Sequence, residues 1–331
     1  MQPVFRRRVA MGSAIYRLAA SLCLVLTPYP VVAQGQIAPL QVNSIDSERD
    51  TGSGTSPAAA NAQVPAGSVG GMGDVNLYPK RVVITDRERT ASVGLYNRAS
   101  ANGEYDITMT DMMMMADGRL VELAAVSDPV QSSKVAAASA MLRWSPHRVT
   151  LPANEAQMVR IMVRMPPNLP AGEYRAHFSA ISVPPAAGEL SIEEAAGKTP
   201  NGVGVQIIPR FGISIPVIIR VGETTLRAGL ANLSVARQQG GGDAISVHIT
   251  REGNRSAFGD LSVTSSGTNR PIAQIRGVGV YTELNDRVVQ IPIDPKSDPR
   301  TFAKGARLTV TYTDDDVAPG KILARQDFIV P

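Results

Sequence analysis

Residues able to do chemistry are few in this chain and poorly spaced for it. The histidines His147, His177 and His248 stand alone, with no spacing that would put two ligands on one face, and surface or half-buried strand positions are expected for them. Met112, Met113, Met114 and Met115, with Met109 nearby, offer a soft binding surface or thioether ligands for copper(I). Consecutive strand residues point to opposite faces, so the four cannot all line one site, and core plus exposed edge is the expected role. Asp314, Asp315 and Asp316 suggest calcium, but the ion takes roughly six to eight oxygens, and a solvated loop is expected instead. No glycine-rich phosphate loop stands between a strand and a helix, no nucleophile sits in a recognisable elbow, and no paired carboxylates stand out. The chain is not expected to be an enzyme, and neither a cofactor nor a metal site is expected.

What stands out is a pattern. In residues 203–221 the odd positions Val203, Val205, Ile207, Phe211, Ile213, Ile215, Val217, Ile219 and Val221 are all large and apolar. Among the even positions only Ile208 and Ile218 are. Period-two alternation marks a strand with one buried face, and the β-branched residues and two prolines exclude a helix. Proline has no N–H for a ladder, and Pro209 and Pro216 have opposite parity, so both cannot face one open edge of an unbroken strand. Pro216 is expected to mark a bulge or an end, and the rest to form an edge strand. Two readings stand: a strand covered by its own domain, or one kept available to complete another protein's sheet.

The elements around this stretch follow from composition. The 331 residues suffice for two cores, and 24 prolines, 29 glycines and 5% aromatics suit β-rich modules with many turns. The formal charge of +4 is misleading. Arg6, Arg7, Arg8 and Arg17 are the only charged residues before Ala33, which leaves 29 basic and 29 acidic residues in the remainder. A nucleic-acid partner is therefore not expected. Those arginines precede a short apolar run at residues 18–26 and the small-residue end Val31-Val32-Ala33, the parts of a secretory signal. The run is too short for a stable membrane anchor, so export with cleavage near Ala33 is expected. Cys23 lies inside the signal, which leaves no cysteine for disulfide or metal chemistry.

Residues 34–73 are poor in large apolar side chains and read as a disordered linker. From Val75 onward short alternating runs recur between polar turns: residues 81–84, 91–97, 104–115, 142–145, 148–151, 156–163 and 173–183. This rhythm indicates an antiparallel sandwich. Residues 223–331 repeat it at 245–251, 261–265, 271–280, 287–293, 307–312 and 321–330. The expected fold class is all-β, two immunoglobulin-like sandwiches in tandem, with domains at 74–222 and 223–331.

Three blocks of the first domain carry a family resemblance. Tyr78-Pro79-Lys80-Arg81-Val82-Val83-Ile84 places a basic residue just before an apolar triplet. Leu151-Pro152-Ala153-Asn154-Glu155-Ala156-Gln157-Met158-Val159-Arg160-Ile161 is a turn followed by a Val-Arg-Ile strand. Leu169-Pro170, then Glu173 through Val183-Pro184-Pro185, completes the set. In order and spacing these blocks, followed by the alternating strand, resemble the PapD-like periplasmic chaperones of chaperone–usher pilus assembly.

The resemblance implies a periplasmic chaperone that caps the open groove of an incomplete pilus subunit with its own strand, here residues 203–215, and delivers it to an outer-membrane usher. Val203, Val205, Ile207 and Phe211 match the donor positions. Arg81 matches the cleft arginine that holds the subunit's terminal carboxylate. Gly212 stands where the family has its partner lysine, and Arg210, two residues earlier on the same face, is the substitute the resemblance offers. Stable membrane insertion is not implied. The alternative is a secreted or cell-surface structural or adhesive protein without chaperone activity.

Overall fold

The eight residues of Ala156–Val163 show how strands form throughout this chain. Val159, Ile161 and Val163 are buried while Met158, Arg160 and Met162 are exposed, so one apolar face packs inward and the other meets solvent. The computed structural model describes residues 63–71, 73–184, 209–237, 241–268 and 270–331. The unit Pro57–Pro331 holds all of them.

The strands of the first sandwich are β1 (Val69–Gly70), β2 (Val75–Tyr78), β3 (Val82–Thr85), β4 (Thr90–Asn97), β5 (Gly103–Thr110), β6 (Met112–Met114), β7 (Leu120–Glu122), β8 (Leu142–Ser145), β9 (Arg148–Leu151), β10 (Ala156–Val163), β11 (Gly172–Ser182) and β12 (Gly212–Val221). A 3-10 turn at Leu123–Ala125 and a one-turn helix, α1 (Pro129–Ser132), follow β7. One sheet runs β1-β2-β4-β10-β8 and the other β3-β12-β11-β5-β9, with β6 and β7 as a separate hairpin. Between the sheets lie Leu77, Leu95, Leu151, Ile161, Phe178, Ile215 and Ile219, each at most 1% exposed. Full burial of such a side chain contributes roughly 1.5–3 kcal/mol, so this layer dominates the stability of the sandwich.

The second sandwich comprises β13 (Leu226–Arg237), β14 (Asp243–Gly253), β15 (Ala257–Ser265), β16 (Ala273–Val280), β17 (Asp286–Pro292), β18 (Arg307–Asp314) and β19 (Ile322–Ile329). Sheet β13-β14-β17 faces sheet β16-β15-β18-β19 across a core that includes Ile245, Leu261, Val263, Ile291 and Tyr312. Gly222, at φ +61°, turns the chain from β12 into β13. A Cβ there would sit 3.1 Å from that of Ala171, so the turn needs both the left-handed backbone and the missing side chain. The chain is all-β, with two immunoglobulin-like sandwiches in tandem.

Several sequence expectations are corrected. The long alternating strand begins, among the described residues, only at Gly212; Pro209, Arg210 and Phe211 precede it without regular pairing, and Val203, Val205 and Ile207 lie outside the described residues. Pro216 is neither a bulge nor an end, because the register of β12 with β11 runs unbroken from Ile181↔Gly212 to Gly172↔Val221. Its missing N–H is tolerated because parallel pairing with β3 begins only at Val217. The linker expected to reach residue 73 stops earlier, since Val69 and Gly70 pair with Leu77 and Asn76 and Val69 packs against the core. Residues 104–115 are two strands rather than one. Asp111 breaks them, its carboxylate accepting from the Ala138 and Ser139 N–H groups and the Ser139 hydroxyl.

Candidate functional site

Arg81 sits where the chain crosses between sheets. β2 ends at Tyr78 in one sheet, and after Pro79-Lys80-Arg81 the chain enters β3 in the other. The crossing delivers Arg81 to the second sandwich. Its Nη2 donates to Asp315 Oδ1 at 2.8 Å and to the Asp315 carbonyl at 3.0 Å, and its Nε lies 3.8 Å from Asp316 Oδ1. The guanidinium stacks on the Phe258 ring, 4.1 Å from its centroid. Lys80 Nζ donates to Asp315 Oδ2 at 2.5 Å. Burial pushes the Asp315 carboxyl up, but the hydrogen bonds and charges of Lys80 and Arg81 outweigh it and hold the group below its ordinary value. The Arg81 side chain is only 9% exposed.

The same junction continues along β11 and β12. Glu173, Arg175 and His177 alternate on one face of β11, all buried, while Ala176 and Phe178 point into the first core. Arg175 and Glu283 form a bidentate pair, Nη2–Oε1 at 2.7 Å and Nη1–Oε2 at 3.2 Å, and Arg175 lies 3.5 Å from the Tyr281 ring centroid. Arg220 of β12 bridges Glu173, at 3.2 Å, and Asp316, while Glu173 also accepts from the Ser256 hydroxyl. His177 Nε2 lies 3.3 Å from the Tyr281 hydroxyl. Burial, with the Arg175 charge added, pushes His177 down to about 3, so it is neutral near pH 7. Met114, Ile218, Phe258 and Tyr281 fill the apolar centre of this junction.

The expected anchoring pair is not brought together. Arg210 precedes by seven positions the residue, Val217, that pairs with Val82 next to Arg81 (210 to 217), about 23 Å along an extended strand. Its Nε donates to the Ser182 carbonyl at 3.1 Å, and its Nη2 lies 3.6 Å from Asp106 Oδ2. Phe211, 41% exposed, exchanges hydrogen bonds with Ser182 just ahead of β12. From Gly212 to Pro216, β12 has a ladder partner only in β11 among the described residues. Gly71 passes beside the start of this stretch without pairing to it: a Cβ there would lie 3.9 Å from the Gly212 carbonyl oxygen and 3.9 Å from the Ile213 Cβ.

Other expectations change. Asp314, Asp315 and Asp316 are not a solvated loop: Asp314 accepts from the Asp316 and Ala318 N–H groups, and the other two hold Lys80, Arg81 and Arg220. His177 is buried rather than at the surface. In the methionine run Met113 and Met114 are buried and Met112 and Met115 half-buried, so it has a core part but no fully exposed edge. Among the described residues no group of three or more His, Cys, Asp or Glu is placed to hold a metal, and no helix is long and apolar enough to cross a membrane. Sequence reasoning missed the junction band of Glu173, Arg175, His177, Arg220 and Glu283. The signal present was the alternation Glu-Tyr-Arg-Ala-His in β11, which reads equally well as a solvated strand face.

No protein-family model matches the chain, and no curated protein matches it. Among solved structures the fold is similar to the YadV chaperone, at 13% identity and TM-score 0.39, over 77% of this chain and 100% of that one. It is similar to the SafB chaperone in complex with the SafA pilin of Salmonella enterica, at 16% identity and TM-score 0.38, over 79% and 99% of the two chains. It is likewise similar to the CsuC–CsuE chaperone–tip subunit complex of Acinetobacter baumannii, at 15% identity and TM-score 0.37, over 77% and 97%.

Proposed function

We propose that this protein is a periplasmic chaperone for pilus or fimbrial subunits. In this reading residues 1–33 are the export signal, the following residues up to β1 are a tether, and the two sandwiches divide near Gly222. The segment 203–215 completes an incomplete subunit sandwich, with Val203, Val205, Ile207 and Phe211 filling its groove. The loaded subunit is then handed to an outer-membrane usher. Arg81 anchors the subunit's terminal carboxylate, which requires Asp315 to yield its place; Arg210, far along the strand, contacts a different part of the subunit.

One observation carries the reading: the Gly212–Pro216 half of β12 has no ladder partner opposite β11 among the described residues, and the apolar alternation of residues 203–211 runs directly into it. An unpaired edge with alternating apolar side chains is what strand addition uses, main-chain bonds giving affinity and alternate side chains giving register. A bound strand would lie where Gly71 now approaches Gly212 and Ile213, so that approach must open.

The test is co-expression with the small secreted proteins encoded beside this gene, followed by pull-down. Wild type should retain a subunit, and the double change Val205→Ser with Ile207→Ser should lose it while keeping the same unfolding midpoint. A fall in that midpoint without a specific capture defect would place both side chains in the protein's own core.

A further inference from the structure

Beside the Arg81 crossing, a cavity of about 660 Å3 opens between the two sandwiches. Its charged lining is Lys80 and Arg81 from the first sandwich and Asp260, Arg276 and Arg287 from the second. Met114, Pro216, Phe258 and Tyr281 supply its apolar wall. A cavity of several hundred Å3 with an apolar wall and a few convergent charges, at a junction between domains, is the common setting of a small-molecule site.

The charges around this cavity can be balanced one by one. Asp315 holds both Lys80 and Arg81, so it offsets only one of the two. Asp316, the next carboxylate, pairs with Arg220. Asp117, whose charge reaches Arg287, is bonded to Arg119. Asp260 accepts from the Gly277 N–H and is the one carboxylate in the lining. Arg276 is exposed, and its side chain forms no hydrogen bond or ion pair among the described residues. Arg287 has only a carbonyl: its Nη1 donates to that of Gly279, and its Nε is buried without a partner. Its guanidinium lies so close to Gly118, in the β6–β7 turn, that a Cβ there would collide with it, which fixes its place. Setting Asp260 and Asp315 against Lys80, Arg81, Arg276 and Arg287 leaves two positive charges in excess.

We propose that this cavity binds a small organic dianion, one carboxylate on Arg276, the other on Arg287, and its short carbon chain along the Phe258 and Tyr281 wall. The inference does not rest on the chaperone reading, because Arg81 keeps Asp315 as its partner and both arginines belong to the second sandwich. A guanidinium holds a carboxylate through charge-assisted N–H donors, so the second head is what separates a dianion from a monoanion of the same length.

Isothermal titration of the exported chain with glutarate, pentanoate and cadaverine tests it. Glutarate should bind saturably at one site, pentanoate at least about tenfold more weakly, and cadaverine not at all. Arg276→Glu, at an exposed position, should abolish glutarate binding while leaving the unfolding midpoint unchanged. A folded Arg287→Met variant should bind glutarate no better than pentanoate. The proposal is overturned if glutarate shows no saturable binding, if pentanoate or cadaverine binds the wild type as well as glutarate does, or if the Arg276→Glu variant binds glutarate as wild type does.

Discussion

Arg81 of the first sandwich and Asp315 of the second are joined twice, through the Asp315 carboxylate at 2.8 Å and through its carbonyl at 3.0 Å. An arginine fork satisfied by a neighbouring carboxylate is not open to a partner's carboxylate until that neighbour leaves. Function at Arg81, if it reads a subunit terminus, is an exchange of one carboxylate for another.

Arg81→Ala is expected to weaken subunit binding about a hundredfold, or about 2.7 kcal/mol, and Asp315→Asn to strengthen it by removing the internal competitor. Both effects should vanish when the subunit carries an amidated C-terminus. Surface plasmon resonance with free and amidated subunits measures this, and equal effects on both would remove the carboxylate-anchoring role.

Breaking the Arg175–Glu283 pair should be costly. Their side chains are 3% and 0% exposed, and removing one member of such a pair leaves an uncompensated buried charge, at about 3–5 kcal/mol. Urea unfolding of Glu283→Gln should show a loss of that size. The double change Arg175→Met with Glu283→Leu should recover part of it, since neither charge of the pair remains while the Met114 N–H loses its acceptor.

His177 should make stability fall with acid. Its folded pKa, about 3, lies below the ordinary 6.5, so the unfolded chain takes up the proton first. Stability is then fully present above about pH 6.5 and declines as pH drops from there toward about 3. Between neutral pH and pH 5 the expected loss from this residue is about 2 kcal/mol. Urea midpoints at the two pH values should show it, and His177→Gln should flatten that part of the profile.

The Asp315 carboxyl acts within its own, more acidic range. Held below its ordinary 3.8, it stabilises the native state above that value and loses the contribution only as pH falls through its lower folded value. Asp315→Asn should therefore change the unfolding profile below about pH 4 and leave its slope between pH 7 and 5 unaltered.

Much of the strand pattern was legible because most strands bury one face, as β10 does with Val159, Ile161 and Val163. β13 was not. Leu226, Ala228 and Leu230 share one parity, but the register shifts between Ala231 and Ser234, with Asn232 at φ +49°, and Leu233 and Val235 continue on the other. A bulge of this kind erases alternation without ending the strand. The location of Arg81 could be read from its neighbours along the chain, but not its occupant. Asp315 is 234 positions away in sequence, and a run of three aspartates looks the same whether it faces water or an arginine. The buried face of β11 was hidden for the same reason, since only the covering domain distinguishes Glu173, Arg175 and His177 from solvated residues.

β12 also has a mechanical consequence. Its antiparallel register with β11 spans ten residue pairs, from Gly212 to Val221, and β3 grips its far half from the other side. A tug on the segment ahead of Gly212, directed along the strand, loads these rungs side by side as a lap joint rather than peeling them singly like a zipper. The ten pairs therefore resist such a pull together, and β12 cannot be stripped from its sheet one pair at a time.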